Sequence, residues 1–148
     1  MNKAKEFVKY LEERFGIEKS AFSGFTFHET SEKIYIFSAD IPQKNLDGLR
    51  IVQTGIVAGR IFDKGGKFKP TTNLLQIFGK FATKNIVQLS EKEKEDFVRG
   101  LDIDNKAADG VENGYVIVKF GVDTLGCGIY SDGSIKNQIP KARRMALR

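Results

Sequence analysis

Residues 114–144 read "GYVIVKFGVDTLGCGIYSDGSIKNQIPKARR", and this stretch decides the fold. Two runs rich in β-branched and aromatic residues, "YVIVKF" and "TLGCGIYS", are separated by "GVD". The turn "SDG" then leads into a third apolar segment, "IKNQIP". Short apolar runs bounded by Gly and Asp are typical of strands joined by tight turns. The pattern predicts a compact, mostly β unit in which the first two runs pair as neighbours.

The residues before this stretch favour a mixture of helices and strands. Phe7, Leu11 and Phe15 recur at helical spacing in residues 2–15, and Gly16 is a typical helix C-cap. "FTFH" and "KIYIFS" indicate a β-hairpin, "IPQKNLDG" a loop, and "LRIVQTGIVAGRIF" a strand, a bend and a second strand. "TTNLLQIFGKF" indicates a short helix with threonine caps. These patterns predict a mixed α/β unit over residues 1–82.

A second unit is predicted over residues 83–148. It begins with a short strand, "NIVQL", and continues with the helix "SEKEKEDFVRG". In that helix Ser90 and Glu93 have the spacing of a capping box, and Gly100 ends the segment. Together with the strands of residues 114–144, this gives an α+β fold class for the whole chain.

Composition excludes several classes of site. The chain of 148 residues has one Cys and one His, so it has neither an internal disulfide nor a Cys/His metal cluster. Its apolar runs are too short to cross a bilayer, and the N-terminus lacks the apolar core of a secretory signal. No Ser/His/Asp set and no phosphate-binding loop motif is present, which argues against a small enzyme. We expect a cytoplasmic protein with no catalytic residue, metal or cofactor.

Positive charge is concentrated in two blocks. The net charge is +5 overall, and residues 60–85 carry six Lys and Arg against one Asp. Residues 113–148 carry six against two, whereas residues 86–112 have four against eight. Two basic blocks around an acidic segment favour a polyanionic partner, although a solvated surface would also explain them.

The candidate contact residues fall within these blocks. Lysines and arginines contact phosphates, and an Asn side chain can reach a base edge or a 2′-hydroxyl. Phe62 and Phe68 alternate with the cations of the first block, where they would either stack on bases or belong to the core. The candidates are Arg60, Lys64, Lys67 and Lys69 in the first block, and Lys136, Asn137, Lys141, Arg143 and Arg144 in the second.

The second block resembles the PUA-type domain that closes the Sun/Nop-type RNA cytosine-C5 methyltransferases. That family has an apolar strand, Leu-Gly-x-Gly, a turn with Gly-x-Ile/Leu-Lys-Asn, and then Pro-Lys-x-x-Arg. The matching residues here are Leu125, Gly126, Gly128, Asp132, Gly133, Ile135, Lys136, Asn137, Pro140, Lys141 and Arg144. Residues 55–79 and 89–103 also resemble the segment before that domain and are similar to the pre-PUA and PUA pair of small Nip-type ribosome-biogenesis factors. The resemblance covers residues 50–148 and is looser over residues 1–49.

The resemblance implies a pre-PUA-like unit followed by a PUA-like β-barrel that binds rRNA or tRNA in RNA modification or ribosome biogenesis. The acidic, Gly-rich cofactor loop and the catalytic Pro-Cys pair of the methyltransferases are missing, which implies an accessory factor without catalysis. Its partners would be RNA and, as a further expectation, an RNA-modifying enzyme or ribosome-assembly protein. The alternative is a scaffold that docks on such a protein.

Two glycines keep two interpretations each. Gly126 and Gly128 either let RNA approach the backbone or let strands pack tightly. Cys127 between them is expected to be a small buried side chain, since its surroundings do not match the catalytic motif.

Overall fold

The computed structural model describes residues 3–38, 55–62 and 67–144. The loop predicted at "IPQKNLDG" and the first of the two strands predicted in "LRIVQTGIVAGRIF" therefore lie outside the described residues, as does Lys64.

In its described residues, 3–38, 55–62 and 67–82, the first unit has a four-stranded antiparallel sheet and two α-helices. Its strand order is β1-β2-β3-β4. A bulge interrupts the pairing of β2 with β3, because Ile34 pairs with Gly59 whereas Tyr35 pairs with Val57. The elements are α1 (Lys3–Phe15), β1 (Phe25–Glu29), β2 (Lys33–Ser38), β3 (Ile56–Phe62), β4 (Lys67–Pro70) and α2 (Thr72–Phe78).

The second unit contains another four-stranded sheet, in the order β5-β6-β7-β8. The pairing of β5 with β6 is parallel, and the connection between them contains α3. The other pairs are antiparallel, so the predicted pairing of "YVIVKF" with "LGCGIYS" is confirmed. The elements are β5 (Ile86–Gln88), α3 (Glu91–Val98), β6 (Gly114–Phe120), β7 (Asp123–Ser131) and β8 (Ser134–Asn137).

The predicted α+β class is confirmed. Within residues 67–144 the second sheet is an open row of strands and not a closed barrel. The chain between α3 and β6 also contacts this sheet, since Ile103 forms an isolated bridge with Ile135 at the edge strand β8.

Local sequence signals explain where the helices begin. Thr71 caps α2 by accepting a hydrogen bond from the Leu74 amide at 3.1 Å. Ser90 and Glu93 form the predicted capping box at the start of α3: each side chain accepts from the other residue's backbone amide, at 3.2 and 2.8 Å. The Ser90 amide and Lys106 lower the pKa of the Glu93 carboxyl.

The two units share one apolar core. Side chains of α1 and α2 pack on the inner face of the first sheet, and two residues of the second sheet, Ile117 and Cys127, belong to the same cluster. The first unit contributes Phe7, Leu11, Phe15, Ile34, Ile36, Phe68, Leu74, Leu75 and Phe78 among others. The proposed division after residue 82 thus separates two sheets whose side chains meet in one cluster.

The opposite face of the second sheet covers a separate core. Val116 and Val118 of β6 alternate with Ile117, so they point away from the first unit. They pack with Phe97 of α3 and with Ile135 of β8, all of which are buried. The second sheet is therefore buried on both faces over much of its area.

Asn85 joins the end of α1 to the second sheet. Its amide nitrogen donates to the Arg14 carbonyl at 2.6 Å, and its Oδ1 accepts from the Glu112 amide at 2.9 Å. Its backbone φ is 57°, in the left-handed region that Asn tolerates better than most residues. The side chain is 3% exposed, so these hydrogen bonds are shielded from water.

Among residues 3–38, 55–62 and 67–144, none of the helices has the length and apolar character needed to span a bilayer.

Replacing Asn85 tests this joint. Asn85→Ala removes both side-chain bonds and adds the left-handed strain, so we expect the free energy of unfolding to fall by about 3 kcal/mol. Asn85→Gly removes the same bonds without a Cβ and should lose about 1 kcal/mol less. Urea denaturation measures both values; equal losses for the two variants would contradict the backbone argument.

Candidate nucleic-acid interface

The β3–β4 hairpin places the first basic block on one face of the first sheet. Arg60 lies opposite Lys69 and Phe62 lies opposite Lys67, so all four side chains share that face. Arg60, Phe62 and Lys67 are exposed, and Lys69 is half-buried.

The two aromatic residues of this block have different environments. Phe68 points into the shared core, where it is 7% exposed and its ring centroid lies 5.4 Å from that of Phe7. Phe62 is 47% exposed. Only Phe62 is therefore placed where it can meet a ligand from solvent.

The two basic blocks meet at the edge of β8. Lys69 Nζ donates to Gln138 Oε1 at 2.7 Å, across 69 positions of the sequence. Lys136 lies two residues before Gln138 and is exposed, as is Lys141. This contact places the hairpin next to the segment that follows β8.

The C-terminal arginines are anchored to the protein. The Arg143 guanidinium donates to the side chains of Asn73 and Gln76 on α2. Arg144 Nε donates to the Ile139 carbonyl at 2.9 Å, and its side chain lies against Gly100 just after α3. Residues 141–144 are thus held against the rest of the protein by hydrogen bonds, and their positive charges remain at least partly accessible to solvent.

Asn137 has a structural role in addition to its place in the predicted site. Its Nδ2 donates to the carbonyls of Phe97 and Leu101 at 2.7 and 3.0 Å, and its Oδ1 accepts from the Ile139 amide at 2.9 Å. The side chain is 8% exposed. Asn137 therefore fixes β8 to the end of α3, and its amide hydrogens are already donated within the protein.

Gly126 and Gly128 lie in the interior, as the tight-packing interpretation expects. A Cβ on Gly126 would lie 2.9 Å from Ile139 Cγ1, and one on Gly128 would lie 2.5 Å from Ile135 Cγ2. The absent side chains let β7 pack closely against these two isoleucines. Both glycines are buried, so they contribute to the packing beneath the surface.

A cleft of about 410 Å³ lies beside the hairpin, between the two units. It is lined by Tyr10, Arg14, Phe62, Lys67, Phe68, Asn113, Gly114 and Tyr115. Arg14 Nε donates to the Tyr115 carbonyl at 2.8 Å and its NH2 group to the Glu112 carbonyl at 2.7 Å. Gly114 has φ +126°, and a Cβ there would lie 3.2 Å from the Arg14 guanidinium.

No pattern in the sequence indicates this cleft. Arg14 has the position of an ordinary cation in the last turn of a helix, and Tyr115 that of a strand aromatic. Only the packing of α1 against the start of β6 brings them together.

Comparison with known proteins identifies the second unit. Residues 84–145 match the methyltransferase RsmF PUA domain. The resemblance inferred from the Leu-Gly-x-Gly and Pro-Lys-x-x-Arg motifs is thereby confirmed.

Curated relatives extend the similarity into the first unit. The chain is 30% identical over 111 residues to ribosomal RNA small subunit methyltransferase F of Aeromonas hydrophila, covering 75% of this chain and 22% of the relative. The protein of the same name from Psychromonas ingrahamii is 27% identical over 116 residues, covering 77% and 24% respectively. The chain spans less than a quarter of the length of these relatives.

The structure gives the PUA motif residues distinct roles. Gly126, Gly128 and Asn137 hold the interior of the second unit together, whereas Lys136 and Lys141 extend to the surface. The Cys127 thiol between the glycines is buried, and desolvation raises its pKa to about 12. Since a nucleophilic cysteine reacts as the thiolate, this environment gives Cys127 no catalytic character.

The neighbours Lys136 and Asn137 offer a direct test of these roles. Asn137→Ala leaves two carbonyls and one amide without their partner, so we expect the free energy of unfolding to fall by about 3 kcal/mol. Lys136→Ala removes an exposed charge and should change it by less than about 0.5 kcal/mol. Thermal and urea denaturation measure both; an Asn137→Ala protein as stable as the parent would contradict the structural role.

Cys127 should be protected in the folded protein. At pH 8 we expect a thiol reagent to modify Cys127 only as fast as the protein opens, so labelling should accelerate sharply in urea. An unfolded thiol ionises near pH 8.5, well below the folded pKa of about 12, so the stability from the buried thiol is lost as pH rises between these values. Rapid stoichiometric labelling in native buffer would contradict the burial.

Proposed function

We propose that this chain is an RNA-binding protein that acts in ribosomal RNA modification without catalysis of its own. The observation that carries the proposal is the contact of Lys69 with Gln138, which brings a cation of the first basic block against the segment that contains the second. We name the proposed RNA-binding surface the basic surface and define it by Arg60, Lys67, Lys69, Lys136 and Lys141.

The charge of the basic surface is available to a ligand. The ion pairs among the described residues are Lys3 with Glu6, Lys92 with Asp96, and Lys106 with Glu93. Cations of the basic surface take part in none of these pairs. Phosphate oxygens are a natural partner for such exposed, unneutralised lysines, and releasing the counterions of RNA drives their association.

The similarity to the PUA domain supports RNA as the polyanion, and the name of the relatives, ribosomal RNA small subunit methyltransferase F, favours ribosomal RNA over tRNA. The proposal that the chain lacks catalysis is argued from its own residues. Cys127 is a buried neutral thiol, and the sequence has no Gly-rich acidic loop for a methyl-donor cofactor. An accessory role in the cytoplasm, beside a separate modifying enzyme, agrees with both observations.

One observation favours the alternative of a protein-docking module. Phe25, Ile77 and Phe81 are exposed by 39, 47 and 45%, and Phe25 and Phe81 both contact the Phe78 ring. An exposed apolar group of this kind suits a protein partner. Binding through it would depend only weakly on salt, so salt dependence separates the two functions.

Neutralising the basic surface should weaken RNA binding and its salt dependence together. In Lys67→Gln/Lys136→Gln/Lys141→Gln, each lost phosphate contact lowers the magnitude of the slope of log K against log salt by about 0.7 for single-stranded RNA, so we expect a total decrease of about 2. Fluorescence anisotropy with a labelled fragment of small-subunit rRNA measures the slope across a salt series. Stability should stay close to that of the parent, since these lysines are exposed.

The matched control removes the same charge elsewhere. Lys19→Gln/Lys80→Gln/Lys94→Gln neutralises three lysines on elements that do not contribute to the basic surface, and it should keep at least most of the parent's slope. If both triple variants bind RNA equally well across the series, RNA does not use the basic surface and the proposed mode of binding is wrong.

A further inference from the structure

We infer that the cleft between the two units takes one unpaired base of the bound RNA, with Phe62 as its stacking platform. This inference rests on the proposed function, because the base would arrive on an RNA strand held by the basic surface. Lys67 belongs to both sites, since it lines the cleft and lies on the exposed face of the hairpin.

The aromatic lining suits a base more than a charged or aliphatic ligand. Phe62 is 47% exposed, although a large apolar ring in a folded domain is usually covered. Tyr10, Tyr115 and the buried Phe68 also line the cleft, and the ring centroids of Tyr10 and Phe68 lie 5.9 Å apart. Every base has a π-face, so a set of rings at the margin of a basic groove is a recurring way of holding single strands.

Arg14 supplies a fixed positive charge in the same cleft. Its two hydrogen bonds go to backbone carbonyls, and in the described parts of the chain it pairs with no carboxylate. The planar guanidinium is therefore held in place with its charge unneutralised. Such a group can stack on a base or donate to a phosphate. A purely apolar peptide would remove water from the guanidinium without supplying an interaction in its place.

The size and position of the cleft agree with one nucleotide. Its volume of about 410 Å³ lies at the lower end of the range of small-ligand pockets, about 300–1,000 Å³. A base within a duplex is stacked on both faces and cannot enter, so the ligand must be a loop, bulge or single strand. The cleft would thus give the basic surface a preference that charge alone does not provide.

Phe62 can be tested with a substitution that also reports on stacking. The chain has no tryptophan, so Phe62→Trp introduces a unique indole whose emission a stacked base quenches. We expect quenching by a single-stranded oligonucleotide and little by a duplex of the same length. Phe62→Leu keeps an apolar side chain without a ring, and we expect it to bind the single strand about tenfold more weakly with an unchanged salt slope.

Phe25→Leu is the matched control, because Phe25 is another exposed strand phenylalanine, 39% exposed, that does not line the cleft. It should bind the single strand like the parent. If the parent binds RNA with a steep salt slope but Phe62→Leu binds equally well and the indole is not quenched, the base site is refuted while the basic surface stands. If the parent binds no RNA, or prefers the duplex, the inference fails; absence of binding also refutes the proposed function.

Discussion

The interface between the two units is the constraint on which the candidate site depends. Ile117 and Cys127 of the second sheet are buried in the core formed by α1, α2 and the first sheet. Hydrogen bonds at the end of α1 add to this burial. The Asn85 side chain donates to the Arg14 carbonyl, and the Arg14 side chain donates to the Tyr115 carbonyl of β6. Apolar burial gives this interface its affinity, whereas the hydrogen bonds fix its orientation, because each buried polar group must find its particular partner.

This fixed orientation brings together the segments of the proposed binding surface, which are far apart in the sequence. The hairpin belongs to the first unit and the C-terminal cations to the second, yet Lys69 reaches Gln138 directly. The cleft is formed in the same way, from α1, the hairpin and the start of β6. A rotation of one unit against the other would separate both sets of residues, so the interface organises the site as well as stabilising the fold.

The sequence predicted the features that depend on local pattern. The first helix, the hairpin, the capping box of Ser90 and Glu93, and the pairing of β6 with β7 all follow from short-range periodicity and turn residues. The family resemblance came from motif spacing, and the match over residues 84–145 confirms it. These are features for which neighbours in sequence are also neighbours in space.

The roles of single residues within the motif were less predictable. Asn137 lies beside Lys136 in a cationic strip, but strand alternation turns its side chain inward to the end of α3. Gly128 is needed because Ile135 of the neighbouring strand β8 lies against it, and Gly126 because Ile139, which follows β8, lies against it. Arg14 and Tyr115 meet only because the units pack together, and no local pattern encodes that meeting.

The second unit thus separates residues that hold its structure in place from residues that present charge. The side chains of Asn137 and Arg144 donate hydrogen bonds to backbone carbonyls, and the Arg143 side chain donates to α2. These bonds fix the backbone on both sides of Lys141. Lysines on a fixed backbone lose only side-chain entropy on meeting a phosphate, whereas those on a free tail would also lose backbone entropy. At the proposed phosphate site the arginines would therefore strengthen binding even where they donate no bond to the ligand, because they would reduce the entropy lost when the lysines bind.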